Sequence, residues 1–134
     1  MKWTKLFLLI CGFMFAYQTH AQDDINIKIM NATHLAHHQV IVAIKSAGDP
    51  APTIVEIVEL GNYRDYTNLS LPDSKEFYLF ITPNSVPFEK LSAVPADYIQ
   101  KVQTLGMDGV KGCNIVVSGS SADNIHFNMT NIQW

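Results

Sequence analysis

Three of the chain's five histidines fall inside ten residues, "NATHLAHHQV", at His34, His37 and His38. Neutral imidazoles converging from several directions make zinc or copper sites, usually with a carboxylate or thiolate beside them. His34 and His37 can share a turn, and His38 then opens the following strand. His126 joins them only if the first and last strands are neighbours. The spacing lacks the i, i+4 pair of a zincin helix, and no glutamate lies between the histidines. Consecutive strand residues point to opposite faces, so His37 and His38 cannot both face one ion once a strand has begun. The segment is therefore expected to be the loop of a first hairpin, with a periplasmic metal-binding protein or small metalloenzyme using His34, His37 and His38 as the alternative reading. No catalytic, cofactor or metal residue is assigned from the sequence.

Other chemistry is sparser still. Cys113 begins "CNIVVSG", where it reads as a small apolar strand residue. No GxSxG elbow is present to make a serine nucleophile. Glu56 and Glu59 are three apart in a strand-like run, which sends them to opposite faces and denies them a shared substrate. "GMDGVKG" has glycines without Walker spacing. Tyr63, Tyr66, Tyr78, Tyr98 and Trp134 are rings of the kind that line peptide or sugar surfaces, or simply pack a core. "GNYRDYTN", Gly61 to Asn68, is the one loop mixing aromatic, cationic and amide groups, and is the favoured contact surface.

The elements that would carry these residues are mainly strands. "INIKIM" alternates, with Ile25, Ile27 and Ile29 on one face, and "QVIVAIK" is apolar on both faces, as a central strand is. "TIVEIVEL", "YTNLSL", "FYLFIT", "NIVVSG" and "NIHFNM" bring the total to seven, with "SAGDPAP", "PDSKE" and "GSSADN" as turns between them. After Met129 the alternation slips, which predicts a bulge near Thr130 or the strand's end. "VPADYIQKVQTLG" puts Tyr98, Ile99, Val102 and Leu105 on one helical face, predicting a helix from Pro95 to Leu105. The expected fold is all-β, mainly antiparallel: a two-sheet sandwich of about seven strands with one short helix in the crossover between strands five and six. A small open barrel is the alternative.

The first 21 residues set the compartment. Lys2 and Lys5 precede an uncharged apolar run from Leu6 to Tyr17, and "THA" places small residues at the cleavage positions before Gln22. That order is a secretory signal peptide, and its apolar run is well short of the roughly 20 residues a spanning helix needs. Ile10 before Cys11 is a poor lipidation context. The expected mature domain is residues 22–134, exported to a bacterial periplasm or secreted. Without Lys2 and Lys5 the chain keeps seven basic and twelve acidic residues, a net charge of −5. That balance, with Arg64 the one arginine, argues against nucleic acid and against anionic lipid. It also argues against a membrane-acting toxin. One cysteine, Cys113, remains, so no internal disulfide is available and the core must hold the fold. Sequons at Asn31, Asn68 and Asn128 are unremarkable among nine asparagines. Together these features predict a small exported, non-enzymatic binding module for a protein, peptide or glycan. The last strand, left unpaired, would offer one route, strand addition.

Overall fold

The computed structural model describes residues 24–134; the leader expected over residues 1–21 lies outside them. The chain forms strands β1 (Ile25–Asn31), β2 (His38–Ile44), β3 (Thr53–Glu59), β4 (Tyr66–Leu71) and β5 (Glu76–Pro83), a one-turn helix α1 (Ala96–Ile99), and strands β6 (Gln103–Gly106), β7 (Gly112–Gly119) and β8 (Ile125–Gln133). They make two four-stranded sheets, a first in the order β4-β1-β7-β8 and a second in the order β3-β2-β5-β6. This is the two-sheet sandwich. Every pairing is antiparallel except β1 with β7, where Asn26 lies opposite Gly112 and Asn31 opposite Val117.

Alternation in β1 decides how the sheets meet. Ile25, Ile27 and Ile29 are buried and the residues between them are not. They pack with Val40, Val42, Phe77, Leu79, Ile115 and Val117 into the core between the sheets. Each such fully buried side chain contributes roughly 1.5–3 kcal/mol. β2 has no solvent face: the five residues from Gln39 to Ala43 are all buried. Val40 and Val42 point into the core between the sheets, whereas Ile41 and Ala43 belong to a second cluster with Ile54, Phe80 and Val94. That cluster covers the outer side of the second sheet, and the connection between β5 and β6 roofs it with Phe88, Val94, Tyr98 and Val102. Phe80 holds the roof by ring contacts, stacked on Tyr98 at 5.3 Å and edge-on to Phe88 at 5.6 Å.

The predicted eleven-residue helix is cut to Ala96–Ile99, and its second half becomes an eighth strand, β6. The apolar set that suggested one helical face serves two different cores. Tyr98 and Val102 lie under the roof, while Leu105 enters the core between the sheets. Pro95 supplies no side-chain cap, and Gln103–Gly106 instead satisfies the free side of β5, Leu79 pairing with Gln103 and Glu76 with Gly106. Ladder hydrogen bonds on an otherwise bare strand outweigh a short uncapped helix. A second correction concerns Asn31 to His38. β1 and β2 lie in different sheets, so this segment is a crossing between sheets and not a hairpin loop. The phase slip after Met129 is a bulge: pairing jumps from Asn114 opposite Thr130 to Gly112 opposite Gln133, with Asn131 at a φ of 51°. A second bulge, between Val42 and Ala43, lets β3 send Ile54 to the roofed cluster and Val58 to the main core.

Phe80→Ala removes the ring on which Phe88 and Tyr98 rest. It is expected to lower the unfolding free energy by about 3–5 kcal/mol, measured by urea denaturation.

Candidate functional site

The histidines disperse. His34 stacks on Tyr63 with ring centroids 4.6 Å apart. His38 turns its Nδ1–H to the Ala36 carbonyl at 2.7 Å. His37 sits at a φ of 58° and uses its carbonyl to accept the Asn84 N–H at 2.8 Å. His126 lies on β8, opposite Ser118, and β7 separates that strand from β1. Among the described residues no group of three or more His, Cys, Asp or Glu side chains is placed to hold a metal ion.

Two other candidates are placed just as plainly. Cys113 is buried on β7 opposite Ile27, and burial pushes its thiol pKa up, so the protonated, unreactive form prevails at neutral pH. Glu56 is held by Lys90 at 2.9 Å, while Glu59 stands exposed on the same strand; they form no carboxylate pair.

The "GNYRDYTN" segment is built with more care. Its anchor is Asn31, 2 % exposed at the end of β1. The Asn31 Oδ1 accepts both the Thr33 N–H at 2.9 Å and the Thr33 hydroxyl at 2.6 Å, and its Nδ2 donates to the Gly61 carbonyl at 2.9 Å. Its main chain is bonded to the same loop, accepting from the Arg64 N–H at 2.7 Å and donating to the Asp65 carbonyl at 2.9 Å. One asparagine therefore ties the crossing Asn31 to His38 to the loop Gly61 to Asp65. Asn31 is also the first residue of a sequon, and its burial leaves no room for a glycan on Nδ2 in this fold. Asp65 folds back to accept the Asn62 N–H at 2.9 Å, and a Cβ at position 61 would meet its Oδ2 at 2.6 Å, so a larger residue there must push the carboxylate aside. The result is an exposed cluster on the loop: the Tyr63 ring stacks with His34 and also has the Arg64 guanidinium 5.3 Å from its centroid.

The loop borders a larger feature that sequence reasoning missed, the outer face of the first sheet. Register aligns the outward residues in rows across its four strands. One row runs Asn68, Lys28, Asn114, Thr130; its neighbours run Ser70, Asn26, Gly112, Gln133 and Tyr66, Met30, Val116, Asn128. Asn26, Asn68, Asn128 and Gln133 are exposed and Asn114 is half-buried. These three rows hold no carboxylate. Their one charge, Lys28, lies over the Tyr66 ring at 4.4 Å, and that ring stands 57 % exposed at the rim. Around Lys28 the surface dips into a shallow dish of about 550 Å³ bordered by Asn26, Asn68, Asn114, Asn131 and Gln133. Each carboxamide presents a donor and an acceptor together. A surface of this composition matches polar, uncharged ligands that carry neighbouring hydroxyl groups. The sequence does carry its trace, asparagine on the polar phase of several strands, but the rows exist only once β1 is known to pair with both β4 and β7.

Asn31→Ala would leave the Thr33 hydroxyl and the Gly61 carbonyl without their partner. A loss of about 1–3 kcal/mol is expected in urea unfolding, with faster amide exchange at Arg64. Because the imidazoles do not converge, chelator is expected to leave the melting temperature unchanged; a fall of several degrees would restore the histidine site. Comparison with protein-family models, with curated proteins and with solved structures finds no match for this chain.

Proposed function

We propose that this chain is an exported, non-enzymatic binding module whose contact surface is the outer face of the first sheet, and that it holds a neutral glycan there. The observation that carries this reading is the asymmetry of the two sheets. The second sheet's outer side is sealed beneath Phe88, Val94, Tyr98 and Val102, while the first sheet's outer side is bare and lined by carboxamides and hydroxyls. Export rests on the leader in the sequence, and among the described residues no helix is long and apolar enough to cross a membrane.

The chemistry follows from the rows. Asn26, Asn68, Asn114 and Gln133 each offer a donor–acceptor pair to vicinal hydroxyls, and Tyr66 offers a ring face to the C–H side of a sugar. The Lys28 ammonium is drawn to that ring, which lowers its bias toward anionic ligands. The Tyr63 stack extends the surface beyond the sheet. A metal-binding alternative finds no support in the dispersed histidines.

The test is a titration of the isotope-labelled protein with neutral hexasaccharides of glucose, xylose and mannose, followed by amide and side-chain carboxamide shifts. Saturable shifts at Asn68, Asn114 and Tyr66, weakened about fivefold or more by Tyr66→Ala, are the expected result, in line with roughly 1 kcal/mol for an exposed aromatic contact. A protein unmoved by all three sugars, or shifted equally in Tyr66→Ala, would overturn the assignment.

A further inference from the structure

The sandwich has four edge strands, and three of them are closed off. Along β3, Ile54 donates its N–H to the Ser92 carbonyl at 2.8 Å and accepts from the Leu91 N–H at 2.7 Å, so the β5–β6 connection lies against that edge. Along β8, the Gln103 carboxamide stands in for a strand: its Oε1 accepts the Phe127 N–H at 2.9 Å and its Nε2 donates to the Phe127 carbonyl at 2.7 Å. Beyond that plug the Asn131 bulge breaks the β8 edge again. β6 is four residues long. Short edges, bulges and covering segments are the usual means by which sheets avoid pairing with other chains.

β4 has none of these devices. Its register with β1 runs without a break from Tyr66 opposite Met30 to Leu71 opposite Ile25. Asp65 turns its carbonyl toward Asn31, so in the alternating ladder the main-chain groups of Tyr66, Asn68 and Ser70 face away from β1. Among the described residues no main-chain group bonds to them. The strand "YTNLSL" holds no proline, no glycine and no charge, on a chain whose net charge is −3.

We propose that β4 pairs with β4 of a second copy of this chain about a two-fold axis through Asn68. Antiparallel pairing in that register sets Asn68 against Asn68 and Tyr66 against Ser70. These are the three residues whose groups face outward, so the ladder closes with all of them matched. No residue of β4 carries a charge, so no like charges meet along the paired strands. An edge ladder by itself buries less than the roughly 1,600 Å² of a standard interface, so the dimer is weak and concentration-dependent. It would join the two first sheets into one of eight strands and set two carboxamide faces side by side, doubling the valency of the surface. The pairing stands or falls independently of the ligand proposed above.

The experiment is sedimentation equilibrium of the purified protein from low micromolar to near-millimolar concentration, on the parent and on Asn68→Lys and Asn68→Glu. The parent is expected to dimerise, and each variant, placing like charges opposite each other at the axis, to do so about fivefold more weakly or worse. An equimolar mixture of the two variants is expected to regain the dimer, an outcome that a folding defect cannot produce. Hydrogen exchange then reads the edge directly, with the Tyr66, Asn68 and Ser70 amides protected at high concentration. A parent that stays monomeric throughout, or a dimer indifferent to both variants, would overturn the proposal. So would a monomer that protects those amides only when offered an extended polythreonine peptide, since the edge would then be reserved for a foreign strand.

Discussion

The constraint on which the rest depends is that β2 is apolar on both sides. A strand reading Gln39-Val40-Ile41-Val42-Ala43, with all five residues buried, cannot border solvent on either face. The first sheet covers one side. The other must be covered by chain, and the stretch between β5 and β6 serves, laying Phe88, Val94, Tyr98 and Val102 over Ile41, Ala43 and Phe80. Gln39, the one polar side chain in that run, is accommodated by donating from Nε2 to the Val86 carbonyl at 2.8 Å, within the same cover. The cover spends the apolar residues of the connection, and it spends one whole sheet face. Among the described residues only the first sheet is left with an outer face open to solvent, lined by the polar phase of its strands.

Polar groups are distributed according to the same division. The buried Asn31 is fully paired: its carboxamide takes four hydrogen bonds while its main chain takes two more. A satisfied buried asparagine fixes a loop more tightly than apolar packing does, because any displacement strands several groups at once. This accounts for the defined cluster of His34, Tyr63 and Arg64 in a segment that is otherwise short, polar and exposed. The asparagines at positions 26, 68 and 128 face solvent, and the same chemical group serves there as surface.

Local pattern made much of this legible. The alternation of "INIKIM" and the two-sided "QVIVAIK" correspond to β1 and β2, and the slip after Met129 corresponds to the Asn131 bulge. Where the reading failed, non-local pairing was responsible. Gln103–Gly106 has the spacing of a helix, but the vacant side of β5 recruits it as a strand. His34, His37 and His38 are close in sequence, yet in the crossing between sheets that contains them the His34 ring stacks on Tyr63, the His38 ring bonds the Ala36 carbonyl and His37 is bonded through its main chain. The carboxamide rows were invisible for the converse reason: their members are scattered along the chain and only register assembles them. "GNYRDYTN" stood out because its composition is local, and its last three residues, Tyr66 to Asn68, begin β4 of the first sheet.

The parallel pairing of β1 with β7 has a kinetic side. Asn26 finds its partner at Gly112, 86 residues later, so the centre of the first sheet cannot form until most of the chain is available. Such long loops must close before any contact rewards them, and topologies of this kind fold slowly. Until then β1 has only β4 to pair with, and a two-stranded ribbon is marginal in water. The first sheet is therefore completed late, only after β7 has been synthesised, whereas the strands of the second sheet up to β6 are all available before it.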